Sequence, residues 1–396
     1  MRILVLAPHP YYITRGTPID LDLLLQALSD GGHEVDAVVY AEGEDRGYSG
    51  VRLHRVGGWS VLHGTRPGFS FRKLILDVLL FIRAWRLVRR NDYDVVHAGE
   101  EAAFLAMFFR RFYGLEFVYD MDSSVAQQMV ESYPLLSPLS ALFNRIEAAA
   151  IRRSIVVAPV CNALADLARR RGAPHVVTLH DISQLEPDAF QDDGALRKAL
   201  GIEGLILMYV GNLEEYQGVD LLLEAMTYVS ADGIDLDLVI AGGSDTAIRR
   251  YGVRARELGV DHRTHFIGPW PYADLGALLG QADILTAPRL RGINTPMKVF
   301  PYLHSGKPVL VTDLPTHNQI LNEELAALAA PNAEEFGEAI VTLAKDPDRR
   351  ARLGAAGRRF VEAQHTLPAY RRRVQELYCK VHEEISSPSP TGMAIL

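Results

Sequence analysis

Short runs of apolar residues alternate along the chain with longer segments in which apolar positions recur at a helical period. In the first half these runs are RILVLAP, EVDAVVY, DVVHA, EFVYD, IVVAP and HVVTL. In the second half they are LILMYVG, LDLVIAGG, HFIG, DILTAP, PVLVT and LAALAA. Continuous apolar strands between amphipathic helices are typical of parallel sheets that helices cover on both faces. The pattern therefore predicts an α/β protein with two parallel sheets.

The two halves are separated by an acidic stretch with Pro and Gly, DISQLEPDAFQDDGAL. A chain of 396 residues also exceeds what one hydrophobic core usually supports. We therefore predict a first domain over 1–182, a linker near 183–195 and a second domain over 196–366. The amphipathic segment 367–385 reads as a final helix, and 386–396 reads as a disordered tail.

Composition and charge narrow the classes of function. Hydrophobic residues make up 48% and charged residues 23%, which indicates a globular chain. The net charge of −8 argues against nucleic acid as a partner. Cys161 and Cys379 form no CxxC pair, so we expect a reducing, cytoplasmic environment. The first residues, MRILVLAPHPYY, resemble a strand rather than a signal peptide, and no segment is apolar enough to span a membrane.

One loop after a predicted strand has the features of an anion site. Thr295 and Pro296 are a favourable N-cap and first residue for a helix, so we expect the helix to begin there. Arg289, Arg291 and Lys298 would add positive charge to the free backbone N–H groups of its first turn. The alternative is an ordinary capped helix with basic residues at the surface. A second Arg-Gly-Thr-Pro arrangement at residues 15–18 favours the anion site.

Several motifs in this order resemble the retaining glycosyltransferases of the GT-B fold, similar to glycosyltransferase family 4. They are RGTPIDLDLLLQALSDGGHEVD, YDVVHA, VGNLEEYQGVDLLLEA, LVIAGGSD, FIGPWPYADLGALLGQADILTAP and TPMKVFPYLHSGKPVLVTD. The resemblance covers nearly the whole chain. It implies two Rossmann-like domains, with a nucleotide-sugar bound mainly by the C-terminal domain and the acceptor mainly by the N-terminal domain. It also implies no metal ion or other cofactor, and a C-terminal helix, here 367–385, that packs on the first domain.

The chain departs from the family pattern at charged positions. The Arg and Lys that neutralise the donor diphosphate in the family correspond here to Asn212 and Gln217, and the carboxylate that binds the ribose corresponds to Pro301. A Pro inside a helix predicts a kink, here near Met297. The basic residues near the predicted anion site, together with Arg15, would compensate for the missing charges. The predicted donor-binding residues are Arg15, Gly16, Thr17, Gly211, Asn212, Gln217, Gly243, Arg289, Arg291, Asn294, Thr295 and Lys298.

Asp122 stands where the family often has a catalytic His, and His97 follows another predicted strand, so both are candidate catalytic residues. In such enzymes the protein mainly orients the reacting groups and stabilises charge. The alternatives are that Asp122 and Ser123 only cap the following helix and that His97 is structural. His9, His180 and Asp181 also follow predicted strands and are weaker candidates. The sequence contains no HExxH motif, Cys cluster or GxSxG motif, which argues against a metallohydrolase and a serine hydrolase.

The segment 66–90 is rich in Arg and Lys with aromatic residues between them, and Arg83, Arg86 and Arg90 are expected on one helix face. Two interpretations remain open, a solvated basic face over a core-packed helix and peripheral contact with an anionic membrane.

The sequence thus predicts a hexosyltransferase-type glycosyltransferase that moves a sugar from a nucleotide-sugar to a hydroxyl of a saccharide or lipid-linked acceptor in polysaccharide or glycan biosynthesis. Retention of configuration is implied by the resemblance. Two alternatives remain at this point: a noncatalytic relative that binds carbohydrate or a partner protein, and an epimerase that acts on a nucleotide-sugar. We expect the protein in the cytoplasm, including the inner face of the membrane.

Overall fold

The computed structural model describes residues 1–13, 16–59, 71–132 and 138–386. The chain separates into two compact units, which are described one at a time below. The first unit comprises Met1–His180 and the described residues from Tyr370 onward. The second unit comprises Asp181–Ala369.

One predicted boundary differs from these units. Residues 183–195, which the sequence suggests as a linker, lie inside the second unit, where the backbone N–H of Ser183 donates to the carbonyl of His365 at 3.0 Å. Apart from Ser386, the predicted tail 386–396 lies outside the described residues.

The described part of the first unit contains one parallel sheet of six strands in the order β3-β2-β1-β4-β5-β6. The strands are β1 (Arg2–Pro10), β2 (Glu34–Tyr40), β3 (Val51–Val56), β4 (Val95–Gly99), β5 (Phe117–Met121) and β6 (Val156–Pro159). The helices are α1 (Gly16–Asp30), α2 (Phe71–Val88), α3 (Ala102–Tyr113), α4 (Val125–Ser132), α5 (Ser140–Arg153) and α6 (Asn162–Arg170). Successive residues of β1 such as Leu4 and Val5 are both buried, so the sheet is covered on both faces.

A second parallel sheet, again counted over described residues, has the strand order β12-β11-β10-β7-β8-β9. Its strands are β7 (Leu205–Val210), β8 (Leu236–Ala241), β9 (Thr264–Gly268), β10 (Ile284–Ala287), β11 (Val309–Thr312) and β12 (Ala327–Ala329). The helices are α7 (Ala195–Leu200), α8 (Val219–Ala231), α9 (Asp245–Glu257), α10 (Leu275–Gly280), α11 (Val299–His304), α12 (Pro315–Asn318), α13 (Ala333–Lys345) and α14 (Pro347–Gln364). The predicted fold class, α/β with two Rossmann-like domains, is confirmed.

The last helix, α15 (Leu367–Ser386), contributes its residues from Tyr370 onward to the first unit. The buried Tyr378 side chain packs its ring beside His33, with centroids 5.2 Å apart. Arg371 forms an ion pair with Asp30 at 2.7 Å. In the part of the chain that the structure describes, no helix is long and apolar enough to cross a bilayer.

Two strand predictions are wrong for identifiable reasons. The run HVVTL makes only an isolated bridge between Val176 and Val157, because Pro159 of β6 has no N–H to continue the ladder. Strand β3 was not predicted from its sequence VRLHRV. It lies at the edge of the sheet, so polar residues such as Arg52 and His54 occupy positions that are apolar in the central strands.

The strand orders locate the expected ligand crevices within each unit. In the first sheet, β2 and β3 lie on one side of β1, and β4, β5 and β6 lie on the other side, so the strand order reverses at β1. The same reversal occurs in the second sheet at β7, which pairs with β8 and β10. Because open parallel sheets bind ligands outside the carboxyl ends of strands at such reversals, the loops after β1, β4, β7 and β10 are the places to examine.

Candidate functional site

Two glycines of the second unit bring the loop after β7 against the loop after β10. Gly211 follows β7, and a Cβ there would collide with the Nζ atom of Lys298. Gly218 has a φ of 78°, and a Cβ there would collide with the carbonyl oxygen of Pro288. At Gly218 the neighbouring atom belongs to the backbone and cannot move aside, so this position requires a residue without a side chain. The two loops therefore meet where the strand order of the second sheet reverses.

Lys298 occupies the centre of this junction. Its Nζ atom lies 2.9 Å from the hydroxyl of Tyr209, 3.2 Å from Oε1 of Gln217 and 4.0 Å from the centroid of the Tyr209 ring. Burial raises the pKa of Tyr209 well above its usual value, so both partners are neutral. Burial and then the charge of Arg289 lower the pKa of Lys298 from 10.5 to about 7. An anionic ligand would reverse this shift by supplying the missing negative charge.

Arg289 is the second cation at the junction. Its Nε donates to the carbonyl of Arg291 at 2.7 Å, and Nη1 donates to the carbonyl of Asn294 at 3.3 Å. Burial lowers the pKa of Arg289. Among the described residues, neither Arg289 nor Lys298 forms an ion pair with a carboxylate. Partly buried cations without acidic partners are characteristic of a site that awaits an anion.

Neutral polar atoms near the ends of β10 and β11 also lack partners. Oγ1 of Thr286, Oγ1 of Thr295 and Nε2 of His317 are buried and make no hydrogen bond to any described residue. Burial lowers the pKa of His317 to about 4, so the ring is neutral, and Nδ1 donates to the carbonyl of Thr312 at 3.0 Å. Nε2 of His317 is therefore a hydrogen-bond acceptor. Since buried polar groups are seldom left unpaired, these atoms are consistent with a polar ligand or water at the site.

The expected helix start at Thr295 and Pro296 is wrong. Helix α11 begins at Val299, and Thr295 does not cap it. The preceding residues form a tighter turn, in which the N–H of Val299 donates to the carbonyl of Pro296 at 3.0 Å. With only six residues, α11 carries little dipole, so the positive character of the site comes from side chains.

Pro301 does not interrupt the middle of a long helix, because it is the third residue of α11. The carbonyl of Met297, to which a residue at 301 would otherwise donate, accepts from the N–H of Phe300 at 3.2 Å. First-turn N–H groups have no intrahelical partner, so Pro at this position removes no helical hydrogen bond. The kink expected near Met297 is replaced by this turn.

The structure brings most of the predicted donor-binding residues together. Asn212 accepts at its carbonyl from the hydroxyl of Tyr209 at 2.6 Å, and Gly243 packs against Leu213. The side chain of Arg291 is exposed. Gly211, Asn212, Gln217, Gly243, Arg289, Arg291, Asn294, Thr295 and Lys298 all belong to the second unit. Gly16 and Thr17 begin α1 in the first unit, and Arg15 lies outside the described residues.

The first unit has a narrow cleft at the carboxyl ends of β1, β4 and β5. Its polar lining consists of His9, Thr17, Asp20, His97, Asp120 and Asp122. His97 is buried between two partners: Nε2 donates to Oδ2 of Asp120 at 3.1 Å, and Nδ1 lies 2.9 Å from the hydroxyl of Tyr378. A carboxylate only accepts hydrogen bonds, so Nε2 of His97 carries a proton. His97 thus orients Asp120 at the cleft.

Asp122 lines the same cleft, and the capping of α4 falls to a neighbouring residue. Oγ of Ser124 accepts from the backbone N–H of Gln127 at 3.3 Å and donates to the buried Glu147 at 2.8 Å. Ser123 is buried. The cap that the sequence offered as an alternative role for Asp122 is therefore made by Ser124.

A carboxylate pair next to this cleft was not singled out from the sequence. Glu100 follows β4 with a φ of 47°, a strained conformation for a residue with a side chain. Burial and then the charge of Glu101 raise the pKa of Glu100 to about 7. Glu101 forms an ion pair with Lys73. The available signal was position, since both residues come directly after a predicted strand.

Burial and then Glu101 also raise the pKa of Asp77 to about 7, and Asp77 accepts from the hydroxyl of Tyr40 at 2.5 Å. Within the described ranges, no group of His, Cys, Asp and Glu has an arrangement that could hold a metal ion.

The candidate sites of the two units differ in charge. The cleft of the first unit is lined by carboxylates, which accept hydrogen bonds from hydroxyl groups, whereas the loop junction of the second unit contains two cations.

Two family models match the chain. The family described as "Glycosyl transferases group 1" matches residues 193–360, and the family described as "Glycosyltransferase Family 4" matches residues 20–181. Together they cover most of the sequence.

Among curated proteins, the chain is 29% identical over 201 residues to a GDP-mannose-dependent monoacylated alpha-(1-6)-phosphatidylinositol monomannoside mannosyltransferase from Corynebacterium glutamicum. That match covers 48% of this chain and 51% of the relative, so the chain spans about half the length of that protein. An alpha-D-kanosaminyltransferase from Streptomyces kanamyceticus is 22% identical, with 77% of this chain and 82% of the relative covered.

Solved structures share the fold. Sucrose-phosphate synthase from Thermosynechococcus elongatus superposes with a TM-score of 0.77 and 19% identity, covering 97% of this chain and 99% of that one. Anabaena HepE, solved in complex with UDP, gives a TM-score of 0.74 at 14% identity, with 96% and 100% of the two chains covered.

Proposed function

Because the chain belongs to the family 4-like glycosyltransferases of the GT-B fold, we propose that it moves a sugar from a nucleotide-diphosphate donor to a hydroxyl group. The proposed activity is that of a hexosyltransferase-type enzyme. The proposed acceptor is a saccharide or lipid-linked saccharide, the proposed outcome is retention of the anomeric configuration, and the proposed setting is polysaccharide or glycan biosynthesis. The observation that carries the proposal is the Lys298–Arg289 pair, which has no acidic partner among the residues that the structure describes.

The proposed donor site uses Lys298 in place of the family's lysine. At the position of that lysine the chain has Gln217, and Nζ of Lys298 lies 3.2 Å from the Gln217 side chain. The ammonium is thus supplied from a residue distant in sequence to the place where the resemblance implies a charge. Arg289, held by the carbonyls of its own loop, supplies a second charge in the same loop. A site with two cations favours a diphosphate over a neutral molecule as its ligand.

In the proposed transfer, bonds form and break between the two substrates and not with the protein. The acceptor oxygen bonds to the anomeric carbon on the face from which the diphosphate leaves, the bond from that carbon to the phosphate oxygen breaks, and the acceptor proton passes to that oxygen. Lys298 and Arg289 stabilise the charge that grows on the diphosphate. Carboxylates of the first unit, such as Asp120 and Asp122, would accept hydrogen bonds from acceptor hydroxyls and orient them.

The names of the relatives support a polyol acceptor. One is named for a phosphatidylinositol monomannoside, and another, D-inositol 3-phosphate glycosyltransferase from Kribbella flavida, is 26% identical with 47% of this chain covered. HepE is described in complex with UDP-glucose, which supports a nucleotide-sugar donor. Each proposed substrate matches the chemistry of its site. The donor is anionic and its site is cationic, whereas the acceptor is rich in hydroxyl groups and its site is lined by carboxylates.

A panel of UDP, GDP, ADP, CMP and TDP tests the donor. We expect one nucleoside diphosphate to raise the melting temperature, because a ligand at 100 times its Kd stabilises the folded state by about 2.7 kcal/mol. Lys298→Gln should abolish the shift, and Lys198→Gln, which changes an exposed lysine of the same unit, should retain it. The configuration of a labelled product, determined by NMR, then tests retention. A panel in which every nucleotide leaves the melting temperature unchanged would contradict the proposed donor class.

Donor affinity should depend on pH through Lys298. The pKa of Lys298 is lowered to about 7, so the free protein loses this charge as the pH rises above 7, whereas the bound diphosphate favours the ammonium. We therefore expect Kd to rise by up to about tenfold per pH unit between pH 7 and 9, with proton uptake on binding. Isothermal titration in buffers of different ionisation enthalpy measures both. Lys298→Arg keeps the charge at all these pH values, so a variant with the same pH dependence as the wild type would refute the assignment.

A further inference from the structure

Three helices of the first unit form a continuous layer with an unusual outer surface. Helix α2 is tied to α3 by Nε1 of Trp85, which donates to the hydroxyl of Tyr113 at 2.6 Å, and by Phe81, whose ring centroid lies 5.2 Å from that of Phe108. Helix α3 is tied to α5 by the hydrogen bond from Arg110 to the carbonyl of Arg153. We call the solvent-facing side of these helices the α2–α3–α5 face.

Large apolar side chains project from this face. On α2, Phe71, Leu74 and Val78 are exposed, and their spacing of three and four residues places them on one side of the helix. Phe112 of α3 is 65% exposed and Leu142 of α5 is 51% exposed. Single exposed apolar residues are normal, but an apolar set shared by three neighbouring helices indicates an interaction site.

The exposed charges on this face are mainly positive. Only two acidic residues occur in α2, α3 and α5, and both point inward: Asp77 bonds to Tyr40, and Glu147 is fully buried. The exposed basic residues on these helices include Arg72, Arg86, Arg111, Arg145, Arg152 and Arg153. Since the whole chain has a net charge of −8, this clustering of basic residues is local. It favours an anionic partner.

The structure refines the basic segment 66–90. Residues 66–70 lie outside the described part of the chain. Arg83, expected beside Arg86 and Arg90, instead turns toward Nδ1 of His54 at a distance of 2.7 Å. Arg86 and Arg90 are exposed. The basic surface therefore does not end with α2 but extends over α3 and α5.

We propose that the α2–α3–α5 face docks the first unit on an anionic lipid bilayer. The apolar side chains would enter the interfacial region, and the surrounding arginines would contact lipid phosphates. A bilayer fits better than nucleic acid, because the face also exposes the aliphatic side chains of Leu74, Val78 and Leu142, which can enter the interfacial region of a membrane but cannot stack on bases. It also fits better than a second copy of this chain, because two such faces would repel each other.

Vesicle binding by the full chain tests this proposal without requiring sugar transfer. We expect sedimentation with vesicles of phosphatidylcholine and phosphatidylglycerol at low salt, and at least about tenfold weaker binding to phosphatidylcholine alone. Arg86→Glu with Arg145→Glu should weaken binding by at least about tenfold and flatten its salt dependence. Val78→Glu with Leu142→Glu should weaken it to a similar extent.

The matched controls lie in the second unit. Val253 and Arg249 are exposed on α9, so Val253→Glu and Arg249→Glu make the same chemical changes away from the proposed face. Both controls should bind vesicles within about twofold of the wild type, and circular dichroism should show that all variants fold. Equal binding to neutral and anionic vesicles, equal losses in the controls, or tighter binding to an oligonucleotide than to anionic vesicles would each overturn the proposal.

Discussion

Replacing Lys298 by methionine should lower kcat/KM for sugar transfer by about a hundredfold to a thousandfold, the range seen when one donor of a transition-state hydrogen bond is removed. Nζ of Lys298 is held by Tyr209 and Gln217 in the loops that carry the proposed donor site. Negative charge on the diphosphate increases as its bond to the sugar breaks. Losing the ammonium should therefore lower kcat as well as raise KM.

The same substitution should not destabilise the fold. Burial lowers the pKa of Lys298, which means that the free protein pays an electrostatic penalty for its charged form. Methionine has a similar length and no charge, so we expect an unchanged or higher melting temperature in the absence of donor. Activity and thermal unfolding measured on the same preparation separate the two effects.

Two controls sharpen this result. Lys298→Arg retains a positive charge and should recover part of the activity, although its planar fork does not reproduce the ammonium geometry. Lys198→Met alters an exposed lysine and should leave kcat/KM unchanged. A Lys298→Met enzyme with wild-type kcat/KM, or one whose activity falls only because it unfolds, would argue against the proposed role.

The lower activity and retained stability that we expect for Lys298→Met have a general explanation. A cation placed beside neutral partners is unfavourable until an anion binds, so the site is organised for the ligand rather than for the empty protein. The same description fits Arg289, and it fits Thr286 Oγ1 and His317 Nε2, which have no hydrogen-bond partner among the described residues. In the first unit, the strained backbone at Glu100 is a comparable feature.

Central strands were predictable from the sequence because burial on both faces requires continuous apolar runs. The run LILMYVG became β7, and RILVLAP became most of β1. The edge strand β3 was missed, since its outward positions tolerate Arg52 and His54. The end of the HVVTL pairing depends on Pro159 in another strand, which no local pattern reveals. Local patterns thus identify buried elements better than edges.

The residues of the candidate site were partly predictable because ligand sites follow strands. Lys298 and Arg289 follow β10, and Asp122 follows β5. Their contacts were not predictable, because Lys298 reaches Gln217 across 81 residues of sequence. The cap expected at Thr295 failed for a related reason. Propensity favoured a helix start there, but the packing of the loop after β10 produces a turn and delays the helix to Val299.

Gly218→Ala should cause a large loss of stability in the second unit. Gly218 has a φ of 78°, a conformation that alanine adopts at a cost of about 1 kcal/mol. In addition, the new Cβ would collide with the backbone carbonyl of Pro288, which cannot rotate away as a side chain would. We expect the free energy of unfolding to fall by about 2 to 4 kcal/mol in total.

Gly259→Ala separates these two contributions. Gly259 has a φ of 71°, nearly the same as Gly218, but a Cβ there would meet no atom within 4 Å. Its substitution should cost only the conformational term of about 1 kcal/mol. Urea unfolding of the wild type and both variants measures the difference, which is the cost of the collision. Equal destabilisation by the two substitutions would mean that the contact with Pro288 relaxes freely. A larger loss at Gly218, accompanied by weaker nucleotide binding than in Gly259→Ala, would show that this contact holds the two donor-site loops together.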